Sequence, residues 1–395
     1  MIVRPIYQKQ IDQLIGKSFI KVLIWQRRVG KSTLLKSIIN KFQNNYIYID
    51  KEQKIYDNIY NSDTLYNYIK NELLDNKQLV AIDEIQNIKW RESAILSIYN
   101  EYPNLEIRIT WSNSNMLSSE LTTHLRWRYI SITVYPFLYS EFCEYNKINI
   151  WSESMNKYIQ DWSMPSVYPL IELENNEQRR KDLINTIIIK DIAQRYNLRD
   201  IDFVYDIYTY LLNNIWNITN TKWLIDYIKS SGKNISINTL QSYIYYICDS
   251  FLAYECQLFD IQGKKIFDRL RKYYVSDASM RKLYFWWYDW FIGKNIENIV
   301  YMTAKTYWRN IYVGRIWDLE IDFVLEKNGK YIYLQIAYIL SDQNVRDREY
   351  KSLQKIKNSR PKYVVTMDNI NLWIYEWIQH IQLRNLEKID RKSVV

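Results

Sequence analysis

Short apolar runs alternate with segments of helical spacing along the first third of the chain. Continuous runs predict buried strands, whereas apolar residues that recur every three or four positions predict amphipathic helices. Strands are expected at 22–24, Tyr46–Asp50, 78–85 and 105–110. Helices are expected between them, and the first is expected at 5–19. This alternation predicts an α/β domain with a mostly parallel sheet.

Helical spacing dominates the middle of the chain. Helices are expected within the connection 141–180 and at 181–195, 202–215, 221–230 and 237–248. The last two surround a short turn that contains Gly232, which is typical of a helix-turn-helix. The two strands that follow are expected to form a wing.

The stretch 263–282 is strongly basic, with seven Lys or Arg residues against two acids and with aromatic residues between them. A winged helix that contacts DNA phosphates is one interpretation. A winged helix used only for packing is the other. The helix 237–248 contains few basic residues, which argues against base recognition.

A β-hairpin pattern marks the last part of the chain, around the turn dipeptide Asn328-Gly329. Glu297 precedes the hairpin on a helical stretch, and Asp322 lies on its first strand. This order resembles the core of PD-(D/E)xK nucleases, in which two acids hold Mg²⁺ and a lysine activates water. Gln335 stands at the position of the second acid and Ala337 at that of the lysine. The resemblance therefore implies the fold without the cleavage activity.

The chemistry of the first domain centres on the loop between its first strand and the following helix. Strand, loop and helix form the context that the phosphate-binding motif G-x-x-x-x-G-K-[ST] requires. Lys31 would reach the β- and γ-phosphates, and the hydroxyl of Ser32 would bind Mg²⁺. Trp25 replaces the first glycine, where a large side chain should crowd the turn. The nucleotide-binding residues are expected to be Trp25, Arg28, Gly30, Lys31, Ser32 and Thr33.

Two acids end the apolar run 78–85, as in the Walker B pattern. Asp83 would hold Mg²⁺ through water, together with Ser32. Glu84 would orient or deprotonate the attacking water. Acids that end strands are more often simply solvated, but the spacing from the phosphate-binding loop favours a functional pair here.

Four stretches of the chain together resemble one family of proteins. They are QRRVGKST, AIDEIQNI, ITWSNSNMLSSELTTHLRWRYI and VYPFLYSEF, in that order. They resemble uncharacterised prokaryotic AAA-type ATPases with a C-terminal domain of unknown function, and the likeness extends to about residue 380. The resemblance implies ATP binding and hydrolysis, with ATP and Mg²⁺ as the ligands.

The residue patterns and these resemblances together give the expected architecture, which is α/β. An AAA-type P-loop domain with a parallel sheet is expected at 1–140. A helical and winged-helix-like region is expected at 141–276. An α/β domain like restriction endonucleases is expected at 277–395.

Two further candidates follow the strand 105–110. In AAA-type ATPases a polar residue after this strand lies beside the γ-phosphate, and Asn113 is the candidate here. An Asx-type turn is an equally good interpretation of that residue. Arg126 and Arg128 stand where an arginine would neutralise transition-state charge, unless they are ordinary surface cations. The catalytic set is therefore expected to be Glu84, Asn113 and Arg128.

Composition limits the other classes of function. Hydrophobic residues make up 48% of the chain, but no apolar run approaches the ~20 residues of a membrane span. The N-terminus lacks the apolar core of a signal peptide, so a cytoplasmic protein without membrane contact is expected. Cys143, Cys248 and Cys256 form no CxxC pair, which argues against a zinc site. The net charge of +9 permits DNA binding without requiring it.

Glycine and tryptophan occur in abnormal numbers. The chain has 7 glycines, where ordinary usage predicts about 28, and it has 15 tryptophans. Many tryptophans occupy positions where turns or the resembling family favour glycine, and we interpret these as turn rather than core positions. One hypothesis explains both counts, namely that UGA codons read as glycine in the source were translated as tryptophan. The tryptophans concerned are Trp25, Trp111, Trp127, Trp162, Trp286, Trp287, Trp290, Trp308 and Trp317. Trp90 is left out of this set, because it is a candidate for a genuine tryptophan.

Three functions fit these patterns. The first is an ATP-hydrolysing switch whose C-terminal half binds DNA or a protein partner. The second is a nuclease that ATP licenses, against which Ala337 counts. The third is a nucleotide-binding scaffold without hydrolysis, which a genuine Trp25 would favour.

Overall fold

The computed structural model describes residues 4–25, 29–73, 77–112, 125–160, 176–230, 232, 235–276, 278–285, 292–340, 343–369 and 374–389. The chain divides into two compact units. The first comprises Met1–Tyr135 with Asp249–Phe251, and the second comprises Pro136–Cys248 with Leu252–Val395.

The first unit alternates helices and strands. Its helices are α1 (Pro5–Leu14), α2 (Lys31–Ile39), α3 (Ser62–Glu72) and α4 (Arg91–Glu101). Its strands are β1 (Ile20–Trp25), β2 (Tyr46–Asp50), β3 (Leu79–Asp83), β4 (Glu106–Trp111) and β5 (Tyr129–Val134). Short 3-10 helices occupy Asn40–Phe42, Lys54–Tyr56, Ile85–Asn87 and Arg126–Arg128.

The five strands form a parallel sheet in the order β2-β3-β4-β1-β5. The two strands β3 and β4 are buried along their whole lengths. For β3 this agrees with a continuous apolar run, whereas β4 alternates apolar residues with the buried polar residues Glu106, Arg108 and Thr110. Leu35 and Ile38 of α2 pack with Leu23 and Leu79 in one core. The α/β class with a parallel sheet is thus confirmed, and all five carboxyl ends lie at one edge.

The second unit begins with helices and ends mainly with strands. Its helices are α5 (Tyr139–Asn146), α6 (Ser152–Gln160), α7 (Asn176–Thr186) with the π-helical continuation Ile187–Ala193, α8 (Ile201–Asn213), α9 (Thr221–Ser230), α10 (Ile237–Asp249), α11 (Ile292–Tyr307) and α12 (Gln343–Gln354). Its strands are β6 (Ala253–Asp260), β7 (Lys265–Val275), β8 (Asn310–Ile316), β9 (Leu319–Lys327), β10 (Lys330–Ile336), β11 (Lys362–Thr366) and β12 (Ile378–Gln382). Ala278–Leu283 and Leu383–Lys388 are 3-10 helices.

The strands of the second unit form one sheet in the order β12-β11-β10-β9-β8-β6-β7. The predicted wing is therefore wrong, because β6 and β7 belong to this sheet and β6 pairs in parallel with β8. The predicted domain boundary between 276 and 277 lies after β7 and before β8, which are two strands of this one sheet. The physical reason is that β6 is largely buried, so the backbone N–H and C=O groups on its second edge need hydrogen-bond partners, which β8 supplies.

The predicted helix pair around Gly232 is present as α9 and α10. Their apolar residues, including Leu224 and Leu240, pack into a core shared with Val204 of α8 and Val275 of β7. The apolar faces of this pair thus serve packing. No helix among the described parts of the chain is both long and apolar enough to cross a membrane.

The predicted hairpin is also present. Strands β9 and β10 pair antiparallel, with Lys327 opposite Lys330. The two turn residues between them, Asn328 and Gly329, have φ values of 54° and 75°. A two-residue turn with both central residues left-handed matches the right-handed twist of the strands, and Asn-Gly favours it.

The described tryptophans differ in burial and in backbone conformation. Trp111 ends β4, and Trp308 lies in the short connection between α11 and β8. Both are buried, so the expectation that these two are not core positions is wrong. In contrast, Trp90, Trp317 and Trp377 have φ values of 51°, 55° and 67°, in the region that favours glycine. Trp90 was excepted from the recoding hypothesis, yet its backbone is of the glycine type.

Candidate functional site

The N-terminus of α2 begins at the phosphate-binding motif. Gly30 precedes the helix with φ 90° and ψ 28°, a conformation that glycine adopts without steric cost. Its carbonyl accepts the N–H of Leu34 at 3.1 Å, which closes the first helical turn. The first N–H groups of a helix have no partner within it, and together with the helix dipole they favour an anion.

Ser32 and Asp83 are neighbours, although 51 residues separate them in sequence. The Ser32 hydroxyl donates to Asp83 Oδ2 at 3.3 Å. On its other side Asp83 accepts a hydrogen bond from the Thr110 hydroxyl. A hydroxyl and a buried carboxylate are oxygen donors of the kind that Mg²⁺ prefers, with water completing its shell. These residues therefore fit the predicted Mg²⁺ site.

Glu84 lies beside this pair in a left-handed conformation, with φ 55°, and it is 1% exposed. Its backbone N–H donates to Thr110 Oγ1 at 2.8 Å. The side-chain amide of Gln86 donates to the Glu84 carboxylate and, at 2.9 Å, to Ser112 Oγ. Both acids at the end of β3 are thus held by side chains from the end of β4 and the turn after β3.

Three members of this network were not predicted from the sequence, namely Thr110, Ser112 and Gln86. The parallel register that pairs Ile82 with Ile109 brings the next residues, Asp83 and Thr110, side by side. The sequence feature that could have indicated this contact is Thr110, a polar residue late in the buried strand β4. It predicts a contact with Asp83 only if β3 and β4 are neighbours, and the order of elements along the chain does not determine that.

The remaining candidates are only partly located. Trp25 ends β1 opposite Val134, but its side chain lies outside the described part of the structure. The side chain of Lys31, the first residue of α2, also lies outside it, as do Arg28 and Asn113 entirely. Thr33 is exposed on α2, and Arg128 is exposed in the 3-10 helix Arg126–Arg128. Their roles stay predictions.

Comparison with known families agrees with this geometry. Residues 17–143 match the family described as AAA domain, and residues 152–284 match a domain of unknown function (DUF8612). Residues 17–143 are therefore similar to that family, and they include the parallel sheet and the motif positions described above.

Two relatives match along most of the chain. An uncharacterised protein of Haemophilus influenzae is 25% identical over 398 residues, covering 96% of this chain and 98% of that protein. An uncharacterised protein of Methanocaldococcus jannaschii is 26% identical over 391 residues, covering 93% of this chain and 84% of that protein. Both relatives are described as uncharacterised, so they show a likeness over most of the chain and add no function.

Among solved structures, the RuvB Holliday junction branch migration motor of Thermotoga maritima aligns over 72% of this chain and 95% of its own. The identity is 13% and the TM-score is 0.33. A TM-score this low does not by itself establish a common fold.

Proposed function

We propose that this protein binds ATP with Mg²⁺ and hydrolyses it, acting as a nucleotide-driven switch. The observation that carries the proposal is the hydrogen bond between Ser32 and Asp83, at 3.3 Å. This hydrogen bond joins the phosphate-binding loop to the acidic end of β3, the two motifs with which P-loop ATPases bind the metal. It lies at the amino end of α2, where phosphate binding is favoured.

Each residue of the site has a role in this proposal. Lys31 neutralises the β- and γ-phosphates, while Ser32 and Asp83 hold Mg²⁺. Bound Mg²⁺ supplies positive charge to the phosphate oxygens. Glu84 accepts a proton from the attacking water. Thr110 fixes the Asp83 carboxylate and the backbone of Glu84 at the same time, which keeps the two acids in a constant relation.

Nucleotide affinity of Lys31→Ala tests the phosphate-binding loop. We expect ATP binding to be lost, because a lysine at this motif position meets the β- and γ-phosphates. Lys36→Ala is the matched control, since Lys36 is an exposed lysine on the same helix. Unchanged ATP affinity in Lys31→Ala would exclude the assignment.

A nucleotide-binding scaffold without hydrolysis is the second candidate. Trp25 at the first glycine position of the motif favours it. ATP binding without measurable turnover in the parent protein would support the scaffold and contradict the hydrolase.

The second unit is proposed to bind DNA or a protein partner. For DNA, part of the basic stretch 263–282 is unavailable, because Lys272 and Arg281 are buried. We therefore expect the remaining exposed cations to give weak binding that falls steeply with salt. Turnover measured with and without DNA separates a DNA-coupled switch from one that responds to a protein, and a nuclease licensed by ATP would also cut the DNA.

A further inference from the structure

A buried lysine meets a set of carboxylates where β7, α11 and β9 pack together. Lys272 Nζ lies 3.0 Å from Glu297 Oε1 and 2.6 Å from Glu320 Oε1. The Tyr274 hydroxyl donates to the same Glu297 oxygen at 2.6 Å. Lys272 is 2% exposed, whereas the Glu320 side chain is 40% exposed, so the lysine is buried and one of its acidic partners reaches solvent.

These elements contact one another although β7 and β9 are not neighbours in the sheet. Strand β7 ends the sheet, and β6 and β8 separate it from β9 in the strand order. Even so, the Tyr274 ring lies 5.4 Å from that of Phe323 on β9 and stacks on Tyr301 of α11 at 4.2 Å. Because side chains two residues apart share a face of a strand, Lys272 points the same way as Tyr274.

The electrostatics keep this lysine charged. Burial works against the ammonium, but the carboxylates of Glu297, Glu320 and Asp322 outweigh it and raise the pKa of Lys272. Burial, together with the charge of Glu297, raises the pKa of Asp322 well above its usual range. Lys272 partly offsets that rise. One ammonium therefore serves as the shared counter-ion of several acids.

The residues do not fit the metal site that the nuclease resemblance implies. The Gln335 amide donates to Glu349 at 3.1 Å, and its oxygen accepts from Ser352 at 3.3 Å. Asp322 Oδ2 accepts the backbone N–H of Ile336 at 2.7 Å. Ala337 offers no ionisable group. No group of three or more His, Cys, Asp or Glu residues in the described segments is arranged to hold a metal.

We propose that the ammonium of Lys272 occupies the cation position between Glu297 and Glu320, beside Asp322, so that this site is filled from within the chain. An ammonium offers three donors without an acceptor, and two of them reach carboxylates here. A divalent cation would have to displace Lys272 from its buried position. The second unit is therefore expected to bind no divalent metal at this site and to have no metal-dependent nuclease activity there.

Metal binding by the full chain tests this proposal. The parent and every variant in the Mn²⁺-binding measurements carry Asp83→Asn, so that Mn²⁺ bound at the nucleotide site does not contribute to the measured affinity. We expect Lys272→Ala to bind Mn²⁺ at least about tenfold more tightly than the parent, because carboxylate oxygens are the ligands that hard divalent cations prefer. Adding Glu297→Gln should remove the gain. Lys265→Ala changes an exposed lysine of the same strand and should leave Mn²⁺ binding as in the parent.

Several results would overturn the proposal. One is Mn²⁺ binding by the parent that Asp322→Asn abolishes, and another is Mn²⁺-dependent nicking of plasmid DNA by the parent. A folded Lys272→Ala protein that gains no Mn²⁺ affinity would contradict it equally. If the alanine variant does not fold, Lys272→Gln, with a side chain of similar length, is measured for the same gain or its absence.

Discussion

Glu84 combines a left-handed backbone, nearly complete burial and a hydrogen bond from the Gln86 amide. We predict that Glu84→Gln keeps ATP binding but slows hydrolysis at least ~100-fold, the usual scale for loss of a general base. Steady-state turnover and ATP affinity measure the two effects separately. Glu101→Gln, an exposed acid of α4, is the control. Equal turnover in Glu84→Gln and the parent would remove Glu84 from the catalytic set.

Two tryptophans occupy tight turns between paired residues. Trp317 is the first residue of the two-residue turn that joins Ile316 to Leu319. Trp377 is the second residue of the turn that joins Tyr375 to Ile378, in which Glu376 is also left-handed. Turns of this kind favour glycine, because a side chain in the left-handed region meets its own backbone.

We predict that Trp317→Gly and Trp377→Gly each stabilise the protein, by about 1 kcal/mol. The indoles are 70% and 89% exposed, so little packing is lost. Urea denaturation measures the change. Trp223→Gly, at an exposed position inside α9, is the control and should destabilise by about 1 kcal/mol. Destabilisation of all three proteins alike would contradict the turn argument.

The same two turn positions, 317 and 377, bear on the hypothesis that UGA codons read as glycine were translated as tryptophan. If glycine occupies these turns in the natural protein, peptide mass spectrometry of material from the native source will show glycine at 317 and 377. Trp90, with φ 51°, should be glycine as well. Tryptophan at 317 in that material would end the hypothesis for this turn.

At the scale of elements, strands β1 and β4 share a buried ion cluster. Glu106 accepts from Lys21 at 2.8 Å and pairs with Arg108 at 2.8 Å, and all three are at most 5% exposed. We predict that Glu106→Gln costs about 3–5 kcal/mol of stability, because two buried cations lose their counter-charge. Denaturant unfolding measures the cost. Glu101→Gln, on the surface, should change stability by less than about 0.5 kcal/mol.

A second element effect concerns pH. His380 on β12 lies 2.8 Å from the Thr366 hydroxyl, and burial lowers its pKa below 6.5, partly opposed by Asp368. The folded state therefore binds this proton less tightly than the unfolded state. The contribution of His380 to stability is present above about pH 6.5 and is lost as pH falls.

We predict that His380→Gln becomes more stable relative to the parent as pH falls below about 6.5. Urea denaturation of both proteins at about pH 7.5 and pH 5.5 measures the difference, in which the other titrating groups cancel. A difference that is the same at both pH values would show that His380 does not titrate as described.

At the scale of the whole molecule, the two compact units make nucleotide coupling testable. ATP at 100 times its dissociation constant should stabilise the unit that binds it by about 2.7 kcal/mol. We expect slower hydrogen exchange at the carboxyl ends of β1 and β3 and the start of α2. A switch also requires that ATP and ADP give different exchange in the second unit. Identical exchange there would favour the scaffold.

The order of elements was largely predictable because apolar periodicity is local. The strands Tyr46–Asp50 and β3, the helix after Gly30 and the hairpin at Asn328-Gly329 follow from short patterns and turn chemistry. The sequence did not show that β6 and β7 belong to a larger sheet. A hairpin has the same sequence pattern whether its outer edge is free or paired with another strand, as β6 is with β8.

The sequence by itself determined the motifs Gly30-Lys31-Ser32 and Asp83-Glu84, since their chemistry lies in adjacent residues. Only the tertiary structure decided that Thr110 contacts Asp83 and that Lys272 reaches Glu297 and Glu320. Those contacts depend on which strands are neighbours and on how β7, α11 and β9 pack together. Such relations arise from packing between distant segments, and no local pattern of residues contains them.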